Sequence, residues 1–249
     1  MRIIISPAKK MREDVDSFPY RDLPCFLPRT EEILKRLRSM NREELKALWK
    51  CSDKLVDHNV ERLASMDLTH HLTPAILSYE GIQYQYMAPG VFTGEALEYV
   101  QEHLRILSGF YGVVKPFDGV TPYRLEMQAK LELCEVKDLY TYWGSLISDE
   151  IYRETDCVVN LASKEYSVCL SKHLPENKTL LTCSFVEWKG EKLIEKGTLC
   201  KMARGEMVRF MAENRVETTE ELKSFRGLGY RFSPEDSNEQ MYTYIKEDI

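Results

Sequence analysis

Cys157-Val158-Val159-Asn160-Leu161-Ala162-Ser163-Lys164-Glu165-Tyr166 is a short β-branched apolar run that turns into a helix start within ten residues. The run suits a buried strand, and Ser163 followed by Glu165 suits an N-cap with an acid in the first turn. The backbone N–H groups at that junction are either capped internally or face an anion. The chain opens in the same way: Arg2-Ile3-Ile4-Ile5 reads as a buried strand stopped by Ser6-Pro7, because proline restricts the residue before it and lacks a ladder donor. Two strands ending in polar turns, with helical patterns between them, predict an α/β fold: one or more mixed sheets with flanking helices.

Working outward, helical patterns occupy residues 29–40, 42–50 and 52–66, the last with Ser52 as its cap and Leu55, Val56, Val60 and Leu63 on one stripe. Residues 75–79 read as a short strand. A helix opening at Thr93 or Gly94 carries Ala96, Val100, Leu104 and Leu107 before Gly109 and Gly112 break it. Residues 138–154 read as one helix, 180–189 and 191–200 as a hairpin about Gly190, and 202–215 as the final helix. No low-complexity linker or internal repeat interrupts this order. One domain over 1–249 is expected, with the helical segment 29–66 packed on an α/β body and an acidic C-terminal segment, 234–249.

A chain of 249 residues, 43% hydrophobic and 30% charged, can bury a substantial core. No apolar run is long enough for a secretory signal or for the ~20 residues of a spanning helix, so a cytoplasmic location is expected. The seven cysteines, Cys25, Cys51, Cys134, Cys157, Cys169, Cys183 and Cys200, form no C-x-x-C pair and are odd in number. Reduced, mostly buried thiols follow. A peroxide sensor would need an exposed, acidic thiolate, and Cys157, Cys183 and Cys200 in strands with Cys169 on a short helix suit burial instead. His58, His70, His71, His103 and His173 make neither H-x-H nor i, i+4 pairs, so no metal site and no cofactor are expected.

The net charge of -6 is concentrated at the end: Glu235, Asp236, Glu239, Glu247 and Asp248 against Lys246 leave the body close to neutral. A local basic cleft is compatible with that balance. Three constellations beside turns and strand ends supply its candidates: Ser6-Pro7-Ala8-Lys9, Tyr123-Arg124-Leu125-Glu126-Met127 and Lys201-Met202-Ala203-Arg204-Gly205. If residues 123–127 are extended, Arg124 and Glu126 point to one side and Leu125 and Met127 to the other, making either a structural ion pair or a phosphate clamp held by its acid. At about 100° per residue, Lys201, Arg204, Gly205 and Arg215 share one helix face, while Ala203, Met207, Phe210 and Met211 share the opposite one. A solvated charged face and a ligand-facing one have the same pattern. Gly205 leaves bare backbone for a ligand or another segment to approach.

The strings Ile5-Ser6-Pro7-Ala8-Lys9, Ser52-Asp53-Lys54-Leu55, Leu104-Arg105-Ile106-Leu107-Ser108-Gly109-Phe110-Tyr111-Gly112, Pro122-Tyr123-Arg124-Leu125-Glu126-Met127, Tyr142-Trp143-Gly144, Asn160-Leu161-Ala162-Ser163 and Ala203-Arg204-Gly205 resemble the YaaA peroxide-stress family, in order along nearly the whole chain. The resemblance implies a cytosolic bacterial protein that protects against hydrogen peroxide by keeping unincorporated iron low and limiting damage to DNA. It also implies non-specific binding of duplex or branched DNA through a cationic cleft, in an α/β fold with a helix-hairpin-helix-like element. The matching turn here is Ser108 to Gly112, with Gly109 and Gly112 offering backbone N–H groups. It holds one residue more than the usual Gly-hydrophobic-Gly, and Val113-Val114 after it read as a strand.

Together these readings nominate Lys9, Lys54, Arg124, Lys201, Arg204 and Arg209 for DNA phosphates, the arginines for forked contacts and the lysines as point charges. Tyr84, Tyr123 and Trp143 are available to stack on bases or to pack. A different class of function stays open: an enzyme acting on a nucleotide or nucleobase, with Glu126 as its candidate acid–base group and Asn160, Ser163, Glu165 and Tyr166 nearby. No G-x-S-x-G, Walker loop, Rossmann fingerprint or H-E-x-x-H is present.

Overall fold

A computed structural model describes residues 1–133 and 135–247. Cys134 and Asp248, counted above among the thiols and the terminal acids, lie outside the described residues.

Strand β1 (Arg2–Ile5) is the centre of the main sheet, and Ile3, Ile4 and Ile5 have no exposed surface. A strand covered on both faces needs no alternation, hence its unbroken apolar run. After the short β2 (Lys10–Met11) come three helices, α1 (Leu27–Arg38), α2 (Arg42–Trp49) and α3 (Asp53–Ser65). Asn41 caps α2 through a reciprocal box with Glu44. Ser52 occupies the cap position of α3, but its hydroxyl makes no capping bond. The helical segment is tied to the body by Tyr142, whose hydroxyl donates to the Arg29 carbonyl at 3.0 Å, and by Phe26 packed on Trp143.

β3 (Thr73–Pro74), α4 (Ala75–Ser78), β4 (Tyr79–Glu80) and α5 (Ile82–Met87) follow in a compact run. The strand expected at 75–79 is therefore a single helical turn; four successive buried residues carry no period to distinguish the two. α6 (Gly94–His103) stops before Leu104, whose backbone is extended, and β5 (Leu104–Ser108), β6 (Gly112–Val114) and β7 (Gly119–Val120) complete this half. Leu104 and Leu107 belong to a fully buried strand, not to the helix that their spacing suggested. The segment matched to a helix-hairpin-helix is thus a helix followed by a β-hairpin, with Ser108 paired to Gly112.

The helix expected over 138–154 is two, α7 (Leu139–Trp143) and α8 (Leu146–Glu154), separated by Gly144 at φ 50°. β8 (Cys157–Leu161) is the strand read from the sequence, and α9 (Lys164–Ser171) starts after Ser163 as expected. β9 (Thr179–Lys189) turns through Gly190 into β10 (Lys192–Ile194), which ends early because α10 (Gly197–Asn214) has already begun. Cys200 is consequently a buried helical residue. β11 (Tyr230–Asn238) and β12 (Met241–Lys246) close the chain.

The strand order is β11-β12-β9-β8-β1-β5-β6, with β10 on β9. β1 runs parallel to β5 and β8, β8 to β9 and β9 to β12, whereas β6 and β11 are antiparallel to their neighbours. The result is the mixed α/β architecture expected from the sequence, around a contiguous core from Ile3 to Tyr244. Among the described residues no helix is long and apolar enough to cross a membrane.

At the amino ends of β1 and β5, Arg2 and the buried Arg105 both contact Glu154, and Arg105 also donates to the carbonyls of Gln101, Glu102 and Leu104. Nearby, burial pushes the Asp118 carboxyl up to about 6 from 3.8, although it accepts the Lys115 N–H at 2.8 Å. A raised carboxylate favours the folded state while protonated, so its contribution is full below about 3.8 and lost as pH rises through about 6. Asp118→Asn should therefore raise the melting temperature at neutral pH, by up to about 3 kcal/mol in stability, and flatten the stability profile across that interval. A thermal-melt series against pH checks this, and an unchanged slope would contradict the assignment to Asp118.

Candidate functional site

From β1 the chain crosses to β5 on one side, whereas β8 lies on the other, so the order reverses at the β1/β8 boundary. In open α/β sheets the crevice beyond the carboxyl ends of strands at such a reversal is where ligands bind. Ser6 leaves β1 and Ser163 leaves β8 at this point. The Ser6 hydroxyl accepts the Ser163 N–H at 2.8 Å and donates to the Ser163 hydroxyl at 3.2 Å. Ser163 sits at the N-cap position of α9 but makes no capping bond of its own; its hydroxyl faces Ser6 instead. Tyr84 on α5 donates to the Ser6 carbonyl at 2.9 Å, joining a third element to the two strand ends.

One wall is the segment 121–127, in which Arg124 and Glu126 remain partly exposed while Leu125 and Met127 are buried, the alternation read from the sequence. It lies outside the sheet and is held close by Gly109, where a Cβ would come within 2.8 Å of the Leu125 carbonyl oxygen. Lys9 Nζ stands 3.0 Å from Glu126 Oε1 and Arg124 Nη2 stands 3.6 Å from the same oxygen. These are ion contacts without hydrogen-bond alignment: Glu126 Oε1 and Arg124 Nε are buried and hydrogen-bonded to nothing. Glu165 accepts the Gln128 N–H at 3.3 Å. Burial, and then the neighbouring Glu126, raise its carboxyl above the ordinary range.

Beneath this wall Tyr123 shares hydrogen bonds with Tyr79 at 2.9 Å and Ser108 at 2.7 Å. Burial pushes the Tyr123 phenol up to about 12, and it raises Tyr84 and Tyr166 as well. All three are neutral hydrogen-bonding groups at physiological pH.

The opposite wall is α10, carrying Lys201 and Arg204. Arg204 Nη2 reaches Glu195 Oε1 at 3.2 Å, while its Nε is buried without a partner. Gly205 settles the alternative left open by the sequence: the close neighbour is α5, and a Cβ here would fall 2.1 Å from the Gln83 carbonyl oxygen.

The cleft has a volume of about 400 Å³. It brings together Lys9, Arg124, Lys201 and Arg204 from positions nearly two hundred residues apart, together with Glu126, Ser163, Glu165, Tyr84, Tyr123 and Tyr166. Lys54 is exposed on α3 and Arg209 pairs with Glu213 further along α10; neither lines the cleft. Asn160 lies within β8, its side chain directed to Thr182 and the Ala162 N–H. Gly109 and Gly112 form a buried turn in which the Phe110 and Tyr111 N–H groups are taken by the Ser108 hydroxyl. Trp143 is fully buried and donates to the Gly109 carbonyl, so it packs.

Sequence reasoning missed Lys10 and Glu80, paired at 2.6 Å, and the α5 residues Ile82 and Gln83. The signal that could have found α5 was Gly205 itself, which demands a close neighbour. Lining cations outnumber lining carboxylates by five to three. Among the described residues no cysteine lines the cleft. Burial raises the thiols of Cys169, Cys183 and Cys200 to about 12, and burial followed by the nearby Glu150 does the same for the Cys25 thiol, although that residue as a whole is exposed.

An open mixed sheet with a cation-lined cleft at its strand reversal defines the class as α/β. Residues 1–236 match the family described as Peroxide stress protein YaaA, and the chain belongs to that family. It is 55% identical over 246 residues to a UPF0246 protein of Lachnoclostridium phytofermentans, covering 99% of this chain and 96% of that one. A UPF0246 protein of Agathobacter rectalis is 53% identical with 99% of each chain covered, and one of Pediococcus pentosaceus is 50% identical over 100% of this chain and 99% of its own.

Gly205→Ala must separate α10 from α5 and should lower stability by about 1–3 kcal/mol, as overpacking does. A denaturant titration checks it, and a loss within experimental error would show that the two helices are not in the close contact described.

Proposed function

We propose that this peroxide stress protein acts on DNA, holding its phosphates without sequence preference in the cleft between β1, β8 and α10 and so limiting iron-dependent oxidative damage to the polymer. The observation that carries this reading is the pair Arg124 and Arg204, brought from separate parts of the chain into one cleft with both Nε atoms buried and unpartnered. A guanidinium donor left bare in a protein interior is costly unless an acceptor comes to it, and phosphate oxygens match its fork. Lys9, Lys10 and Lys201 add point charges on the same lining.

Binding of this kind weakens steeply with salt, because each neutralised phosphate releases counterions. In fluorescence anisotropy at a series of salt concentrations, a Lys201→Ala/Arg204→Ala variant should bind labelled DNA more weakly than the wild type. Its slope of log affinity against log salt should be shallower by about 1 to 2. Lys54→Ala, outside the cleft, should leave both quantities unchanged. Equal binding by wild type and the double variant would remove the cleft from the reading.

One observation favours a second reading, an enzyme acting on a nucleotide or nucleobase. Glu126 and Glu165 share the cleft, and the acidity of Glu165 is weakened by burial and by its neighbour. Paired carboxylates in unlike surroundings are suited to proton transfer. Glu126→Gln should abolish complementation of a peroxide-sensitive strain if that carboxylate moves a proton; full complementation would leave the phosphate-binding role alone.

A further inference from the structure

The cleft cations stand in two tiers. The Lys9 and Lys10 side chains are 63% and 79% exposed at the mouth, whereas those of Arg124 and Arg204 are 14% and 11% exposed inside it. A duplex lying across the mouth would meet the lysines and leave the arginine Nε atoms as bare as they are without it. Only a group that enters the cleft reaches the two guanidinium groups. The volume of about 400 Å³ falls within the range of roughly 300–1,000 Å³ typical of small-molecule sites, too small to engulf a double helix. The same lining includes the partly exposed apolar residues Pro7, Ala8 and Ile82, which offer a surface suited to the flat face of a base.

We infer that the cleft receives one nucleotide unit, unstacked from its neighbours, with its phosphate on Arg124 and Arg204 and its base against Ala8 and Ile82. This rests on the phosphate-binding reading and narrows it to a ligand class. The Ser6 and Ser163 hydroxyls, already joined to each other, lie on the same lining where sugar and base edges would pass. Such a unit can come from a free mononucleotide or from a strand whose pairing is interrupted, since extrusion is easiest where a base is mismatched or already single-stranded.

The test compares anisotropy titrations of the full chain with three labelled DNAs of equal length: a perfect duplex, the same duplex with a central unpaired bubble, and a single strand. Deoxyadenosine 5′-monophosphate, deoxyadenosine and inorganic phosphate serve as competitors. The bubble and the single strand should bind at least about tenfold tighter than the perfect duplex, since they avoid much of the unpairing penalty. The monophosphate should compete better than either nucleoside or phosphate alone. Arg204→Ala should erase the preference for unpaired DNA, and Ala8→Leu, which narrows the apolar wall while leaving every charge in place, should weaken the bubble and the monophosphate more than the duplex. Monophosphate competition without any bubble preference assigns the site to free nucleotide. Equal binding of duplex and bubble with no monophosphate competition overturns the inference and leaves non-specific phosphate binding standing. Competition by inorganic phosphate equal to that by the monophosphate overturns it in favour of a bare anion site. Failure to bind any DNA, with no monophosphate competition, overturns this inference and the wider reading together.

Discussion

The hydroxyl of Ser6 bound to both the amide and the hydroxyl of Ser163 is the contact on which the cleft depends. It joins the ends of two parallel strands at the place where strand order reverses, and it uses the N–H that would otherwise be free at the entry to α9. Everything else in the site is positioned relative to this bond: Lys9 three residues beyond Ser6, Glu165 two beyond Ser163, and Tyr84 anchored on the Ser6 carbonyl. β1 can bear that role because Ile3, Ile4 and Ile5 are locked between β5 and β8 with no exposed surface.

The two ends of the sheet treat their arginines in opposite ways. At the amino ends, Arg2 and Arg105 converge on Glu154, and Arg105 adds three backbone carbonyls. That arrangement is structural, a buried charge surrounded by acceptors. At the carboxyl ends Arg124 and Arg204 each touch one carboxylate and keep a buried nitrogen without a partner. The same residue type is surrounded by acceptors at the end of the sheet where it holds the fold and incompletely satisfied at the end where the cleft opens.

Much of this was legible in the residues. β1, β8, α9, the three early helices and the alternation of Arg124 with Leu125 all followed from local pattern, because each is a short segment whose burial changes with its own period. The stretches that misled were those buried on every side. Ala75 to Ser78 and Leu104 to Leu107 carry no polar face, so nothing in them separates a helical turn from a strand. The site was half legible: Lys9, Arg124, Lys201 and Arg204 meet as the turns suggested, but Lys54 and Arg209 were chosen for charge and motif alone, and charge does not encode distance. Lys10 and Glu80 were missed because the pairing that sets them side by side, β2 on β4, is only two residues long, and α5 because its one signal was the demand of Gly205 for a close neighbour.

Each mouth lysine has its own neutralising group within the protein, Glu126 for Lys9 and Glu80 for Lys10, in a chain whose overall charge is -6. Seen from beyond a screening length of about 8 Å at physiological salt, such a molecule offers an approaching anion no attraction. On the proposed reading, an anion arriving at the mouth has to compete with these two carboxylates for Lys9 and Lys10. On that reading capture begins at contact, by exchange of one counter-charge for another, and release is eased by the same carboxylates returning to their places.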